Sequence, residues 1–147
     1  MKTTIIGLLL LATASVNAQE KAQTYQLADA PRYSEETGYG YDLVATPEKG
    51  SKAPFFFSVR VPDGNYQVTV RLGSKRQAGV TTVRGESRRL FIDNLATKKG
   101  QFVDETFIIN KRNPRISEKE SVRIKPREKA KLNWDDKLTL EFNGDAP

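Results

Sequence analysis

The sequence contains no histidine and no cysteine. Without histidine there is no Ser-His-Asp or Cys-His chemistry and no histidine metal site. Without cysteine there is no disulfide, so the chain must hold itself together with its core. Long apolar runs are also missing beyond the first eighteen residues, which excludes a later membrane-spanning helix. No segment keeps a helical period over three turns, and there is no internal repeat or low-complexity tract.

The first eighteen residues read as a leader. Lys2 gives a short basic start, Ile5 to Ala14 an apolar stretch, and Val16-Asn17-Ala18 a small-residue cleavage site. The apolar stretch is too short to span a bilayer permanently. The expectation is a secretory signal peptide over 1–18, a secreted or periplasmic protein, and a β-rich domain over 19–143. Residues 144–147 are expected to begin a linker. A domain of this length has room for a real core.

The net charge is +6, from 24 basic and 18 acidic residues, and loss of Lys2 with the leader makes it +5. A basic exported protein suits an acidic partner, such as an anionic polysaccharide, an acidic surface or nucleic acid. Export makes nucleic acid the weakest of these. The alternative is that the charge serves solubility alone.

What is present in quantity is alternation. In Pro54 to Gly73, Phe55, Phe57, Val59 and Val61 fall on one side, against Phe56, Ser58 and Arg60. Tyr66, Val68, Val70 and Leu72 then alternate with Gln67, Thr69 and Arg71. Such period-2 patterns predict half-buried strands. Pro62-Asp63-Gly64-Asn65 between them carries turn chemistry, so the stretch is expected to be an antiparallel hairpin.

Further strands are predicted over 79–84, 87–96, 101–111, 121–125 and 137–143. A lead-in edge strand is expected near Tyr25 and Leu27, and an irregular loop over 33–43. Leu90, Ile92, Val122 and Ile124 are expected to point inward. In 101–111 the apolar residues use both parities, which suits burial on both faces or a bulge. About eight short strands with regular turn signals predict an all-β antiparallel sandwich of jelly-roll type.

Three stretches are candidate sites. Trp134-Asp135-Asp136 is either a sugar platform beside two carboxylates or a rim tryptophan with a turn-forming Asp pair. Tyr39, Tyr41 and Asp42 either line a ligand groove or anchor a loop. A calcium ion on Glu35, Glu36 or Asp42 matches no loop motif, and no cofactor or metal is expected. The basic run from Lys111 to Lys131, broken by Glu118, Glu120 and Glu128, is either a solvated face or a strip for a polyanion. It lacks the stacking aromatics of a nucleic-acid module.

Several stretches occur in a familiar order: Gly38-Tyr-Gly-Tyr-Asp42, Pro54-Phe-Phe-Phe-Ser-Val59, Pro62 to Val70, Arg88-Arg89-Leu90 and Trp134 to Gly144. Together they resemble the N-terminal galactose-binding-like β-sandwich of secreted rhamnogalacturonan acetylesterases, which are SGNH (GDSL-type) carbohydrate esterases. The resemblance implies an accessory sandwich followed by an esterase domain that carries the catalytic serine, aspartate and histidine. None of those catalytic residues can be placed on a position of this sequence. The partners it implies are that esterase domain and an acidic pectic polysaccharide, with no nucleic acid and no membrane. The alternative is a free-standing carbohydrate-binding or interaction module. In either case Tyr39, Tyr41, Asp42 and Trp134 are the candidate ligand contacts.

Overall fold

The computed structural model describes residues 22–43, 54–86, 88–126 and 134–145. The expected leader and cleavage site lie outside the described residues, as do residues 127–131 of the basic run. Among the described residues seven strands form: β1 (Tyr39–Asp42), β2 (Phe55–Arg60), β3 (Gly64–Gly73), β4 (Gly79–Gly85), β5 (Arg89–Thr97), β6 (Phe102–Lys111) and β7 (Lys137–Asp145). They divide into two antiparallel sheets. Five strands run in the order β1-β2-β7-β4-β5, and the second sheet is the pair β3-β6. The protein is therefore an all-β sandwich. Its sheets are unequal, where a jelly roll has eight strands in two Greek keys.

The core lies between the sheets. Phe55, Phe57, Leu138, Leu140, Phe142 and Val83 line the inner face of the large sheet; Val70, Leu72 and Ile109 line the small one. Cross-strand partners share a face, so Phe57 with Leu140 and Phe55 with Phe142 stack side by side. The Phe55 and Phe142 rings are 4.9 Å apart and nearly parallel. Phe91 of β5 stacks on Phe107 of β6 at 4.4 Å and ties one sheet to the other. Such ring pairs add about 1 kcal/mol each beyond their buried area. Two strands cannot cover five, and the lead-in helps: Tyr25, Leu27 and Ala30 pack against the same core.

The largest correction concerns the stretch from Pro54 to Gly73. Its two arms are strands but they do not pair. β2 lies between β1 and β7, whereas β3 pairs with β6 along its whole length, from Gly64 opposite Lys111 to Gly73 opposite Phe102. Pro62 and Asp63 carry the chain across from one sheet to the other. The alternation is as read, because two strands facing each other across a core need the same period as two strands side by side.

Other corrections are local. The lead-in forms a short 3-10 turn (Leu27–Asp29), not a strand. The end of the expected loop over 33–43 is β1. Its outer edge is bonded to the preceding segment, Tyr41 N–H to the Pro31 carbonyl and Tyr33 N–H to the Tyr41 carbonyl. Gly40 permits this approach: its φ is +141°, and a Cβ there would meet the Pro31 oxygen at 2.4 Å. β6 has neither a bulge nor two buried faces: Val103, Phe107, Ile109 and Lys111 turn inward, while Phe102 and Ile108 are exposed. Ile92 is buried as expected, but Leu90 is exposed. No strand forms over 121–125; an isolated bridge joins Arg115 and Ser121, with Val122 and Ile124 half-buried. β7 runs on to Asp145, past the expected boundary at 143.

Candidate functional site

The antiparallel registers put several loops at one end of the sandwich. The ends of β2 and β6 and the starts of β3, β5 and β7 meet there, with the turn after β4. Trp134, Asp135 and Asp136 enter this end from the loop before β7. Arg112 enters it from the loop after β6, and its guanidinium lies over the Trp134 ring at 4.4 Å. The structure thus brings together two features far apart in the sequence, the lone tryptophan and the start of the basic run. Arg112 is exposed, and Trp134 is half-buried with a left-handed backbone, φ +69°. A guanidinium held over an indole face keeps its in-plane donors free for a carboxylate or hydroxyl oxygen.

The same end carries a set of ionisable groups, of which Lys111 and Glu86 are buried. Lys111 is 2% exposed and its Nζ donates to Asp63 Oδ1 at 2.8 Å. That bond holds the Asp63 carboxyl below its ordinary value. Glu86, at the end of β4, is 5% exposed and has a left-handed backbone, φ +46°. Burial pushes its carboxyl up to about 7, with Asp135 adding to the rise and the Thr139 N–H, Arg89 and Lys111 opposing it. Burial also raises Asp135, against the N–H of Lys137 and the charges of Lys137 and Lys111.

The other sequence candidates are placed differently. Tyr41 is a core residue, 5% exposed, with its hydroxyl donating to the Leu27 carbonyl at 2.7 Å. Its ring meets Phe55 and Phe57 edge-on. Tyr39 is half-buried, with its ring 4.8 Å from Tyr25. Asp42 follows Tyr41 in the strand and faces the opposite side of the sheet. There it accepts from Lys137 Nζ at 2.6 Å, Ser58 Oγ at 2.9 Å and its neighbour's N–H. Burial would raise its carboxyl, but these three hydrogen bonds outweigh burial and hold it below its ordinary value. Ser58 and Thr139, both essentially inaccessible, share a hydrogen bond at 2.7 Å beside it. The four candidates therefore do not converge: two tyrosine rings go to the inner face, Asp42 to the outer face, and Trp134 to the loop end.

Glu35 is paired with Arg60 at 2.8 Å. Among the described residues no three carboxylates are grouped to hold a metal ion. No described helix is long and apolar enough to cross a membrane. Glu86, Lys111 and Arg112 were not singled out individually as sites from the sequence. Strand parity carries a signal for Lys111, which follows Phe107 and Ile109 at the inward positions; Glu86 sits in a turn and carries none. No protein-family model matches the chain, nor does any curated protein or solved structure.

Proposed function

We propose that the chain is the accessory β-sandwich of an exported carbohydrate esterase of the rhamnogalacturonan acetylesterase type. In this reading it contributes packing and glycan contact, and the ester chemistry belongs to a separate SGNH domain. One observation carries it. Three of the stretches on which the resemblance rests, around Gly38–Asp42, Pro54–Val59 and Trp134–Gly144, are β1, β2 and β7, three adjacent strands of one sheet. Sequence features that pack together as one structural unit support a shared origin better than the same features scattered over a fold. Trp134, at the loop end of that unit, has one ring face taken by Arg112. Its remaining surface is suited to the apolar face of a sugar, with Arg112 beside it for a carboxylate.

The second reading, a free-standing secreted carbohydrate-binding or interaction module, is favoured by the same stack, which needs no further domain to meet a sugar. Both readings give this chain no esterase chemistry of its own. Turnover of an acetyl ester by the purified chain, above a blank, overturns that.

Because the chain has a single tryptophan, its emission reports this site directly. Titration with acetylated and de-esterified rhamnogalacturonan should give saturable binding with a shift of that emission. Trp134→Ala should abolish the binding while circular dichroism stays unchanged. Saturable binding with constant emission overturns contact at Trp134. No binding, with Trp134→Ala instead unfolding the chain, removes the glycan contact and leaves the packing role alone.

A further inference from the structure

The opposite end of the sandwich carries a second feature, independent of Trp134. Here the chain crosses between sheets twice, from β3 to β4 and from β5 to β6. The first crossing is Ser74-Lys75-Arg76-Gln77-Ala78 and the second is Lys98-Lys99-Gly100-Gln101. The two turns are fastened together. Gly100 N–H donates to the Ser74 carbonyl at 2.8 Å from one turn to the other, and within the second turn Gln101 Oε1 accepts the Lys98 N–H at 3.0 Å. Gly73 makes the approach feasible: its φ is +130°, and a Cβ there would lie 2.1 Å from the Gln101 carbonyl oxygen. Four exposed cations, Lys75, Arg76, Lys98 and Lys99, are thereby held on one small platform although more than twenty residues separate the pairs. Among the described residues none of the four is paired with a carboxylate. Asp104, the nearest acidic residue in the β3–β6 ladder, faces Arg71. By contrast, the basic segment after β6 is interleaved with Glu118 and Glu120.

We propose that this doubled turn is a contact surface for an anionic polysaccharide, with the four cations meeting carboxylates along its chain. Unpaired like charges held close together raise the local concentration of a polyanion. The chemistry around the platform selects the class. Its tips carry no large apolar side chain to enter a bilayer interface, and the Phe102 ring beside them lies under the Arg71 guanidinium at 5.3 Å. Nor do the tips offer aromatic faces for bases to stack on. A flexible, hydrated polymer with spaced carboxylates needs neither. Lysine ammonium groups, compact point charges with rotatable donors, fit such a ligand.

The test uses the chain with sodium polygalacturonate, and neutral dextran as the blank. Binding is expected at about 20 mM salt and should weaken severalfold by about 300 mM, where the Debye length has shrunk to roughly a third or less. Lys75→Glu/Arg76→Glu and Lys98→Glu/Lys99→Glu should each weaken it about tenfold or more. Arg115→Glu/Arg123→Glu, in the segment after β6, should change it less than about twofold. All three double variants change exposed residues outside the strands, and circular dichroism verifies their folding. Three results overturn the proposal: wild-type-like binding by both turn variants, loss of binding in the Arg115/Arg123 variant, or no binding by the folded wild type at low salt. Tighter binding to phosphatidylserine vesicles or to duplex DNA than to polygalacturonate overturns the ligand class. Failure of the Trp134 site does not bear on this outcome, because the turn variants leave that residue and its emission untouched.

Discussion

Glu86 bonds Thr139 twice: its backbone N–H donates to the Thr139 carbonyl at 3.1 Å, and its own side-chain Oε1 accepts the Thr139 N–H at 3.0 Å. β4 turns away at this point, since Glu86 adopts a left-handed conformation. Its carbonyl can no longer continue the ladder to β7, and the carboxyl group takes over as acceptor. The buried Thr139 N–H is satisfied, at the cost of burying a carboxyl group.

That arrangement predicts a pH dependence. The Glu86 carboxyl lies at about 7 in the folded chain against 4.5 for the free group. A raised carboxyl contributes stability that is fully present below the unfolded value and is lost as pH rises through about 7. The difference corresponds to roughly 3 kcal/mol at most. Glu86→Gln keeps the acceptor for Thr139 and never ionises. Denaturant unfolding at about pH 5 and pH 8 should show wild type losing stability with pH and Glu86→Gln losing much less. Parallel losses in both proteins would assign the titration elsewhere.

Lys111 and Asp63 supply a second test. Asp63→Ala leaves a buried ammonium without its partner and should cost about 3 kcal/mol. Lys111→Met removes the charge and fills similar space, so the double variant should recover much of that loss. A double variant as unstable as the sum of the two singles would mean that the pair does not act as a unit.

Tyr41 is expected to behave as a core residue. Tyr41→Phe loses one hydrogen bond to Leu27 and should cost about 1 kcal/mol. Tyr41→Ala opens a cavity beside Phe55 and Phe57 and should cost about 3–5 kcal/mol. Gly40→Ala should also destabilise by about 1–3 kcal/mol, through its positive φ and the contact with the Pro31 oxygen. Urea denaturation of the three variants gives the ranking directly.

The two faces of β6 can be separated by adjacent isoleucines. Ile108 is 69% exposed and Ile109 is fully buried. Ile108→Thr should change stability by no more than about 0.5 kcal/mol. Ile109→Ala should cost about 2–5 kcal/mol. Equal losses at both positions would restore the two-faced strand that the sequence suggests.

The sequence alone determined the strand class and most of the strand positions. Phe55, Phe57, Val70, Leu72, Leu138, Leu140 and Phe142 are buried as their alternation requires. Period-2 patterning depends only on which side of the chain each residue occupies, and that is local. What a strand pairs with is not local, and only the tertiary structure decided it. The same alternation serves neighbours in one sheet and partners across a core, so β2 and β3 read as a hairpin although they lie in different sheets. The apolar residues Phe102 and Ile108 obscured the parity of β6; its unbroken register with β3 resolved it. The candidate sites follow the same division. Trp134 was visible as a residue type, but its partner Arg112 is brought to it only because β6 ends and β7 begins at one end of the sandwich. Lys75 and Arg76 meet Lys98 and Lys99 for the same reason: two crossings between the sheets fall at one end, and a hydrogen bond from Gly100 to Ser74 holds them there.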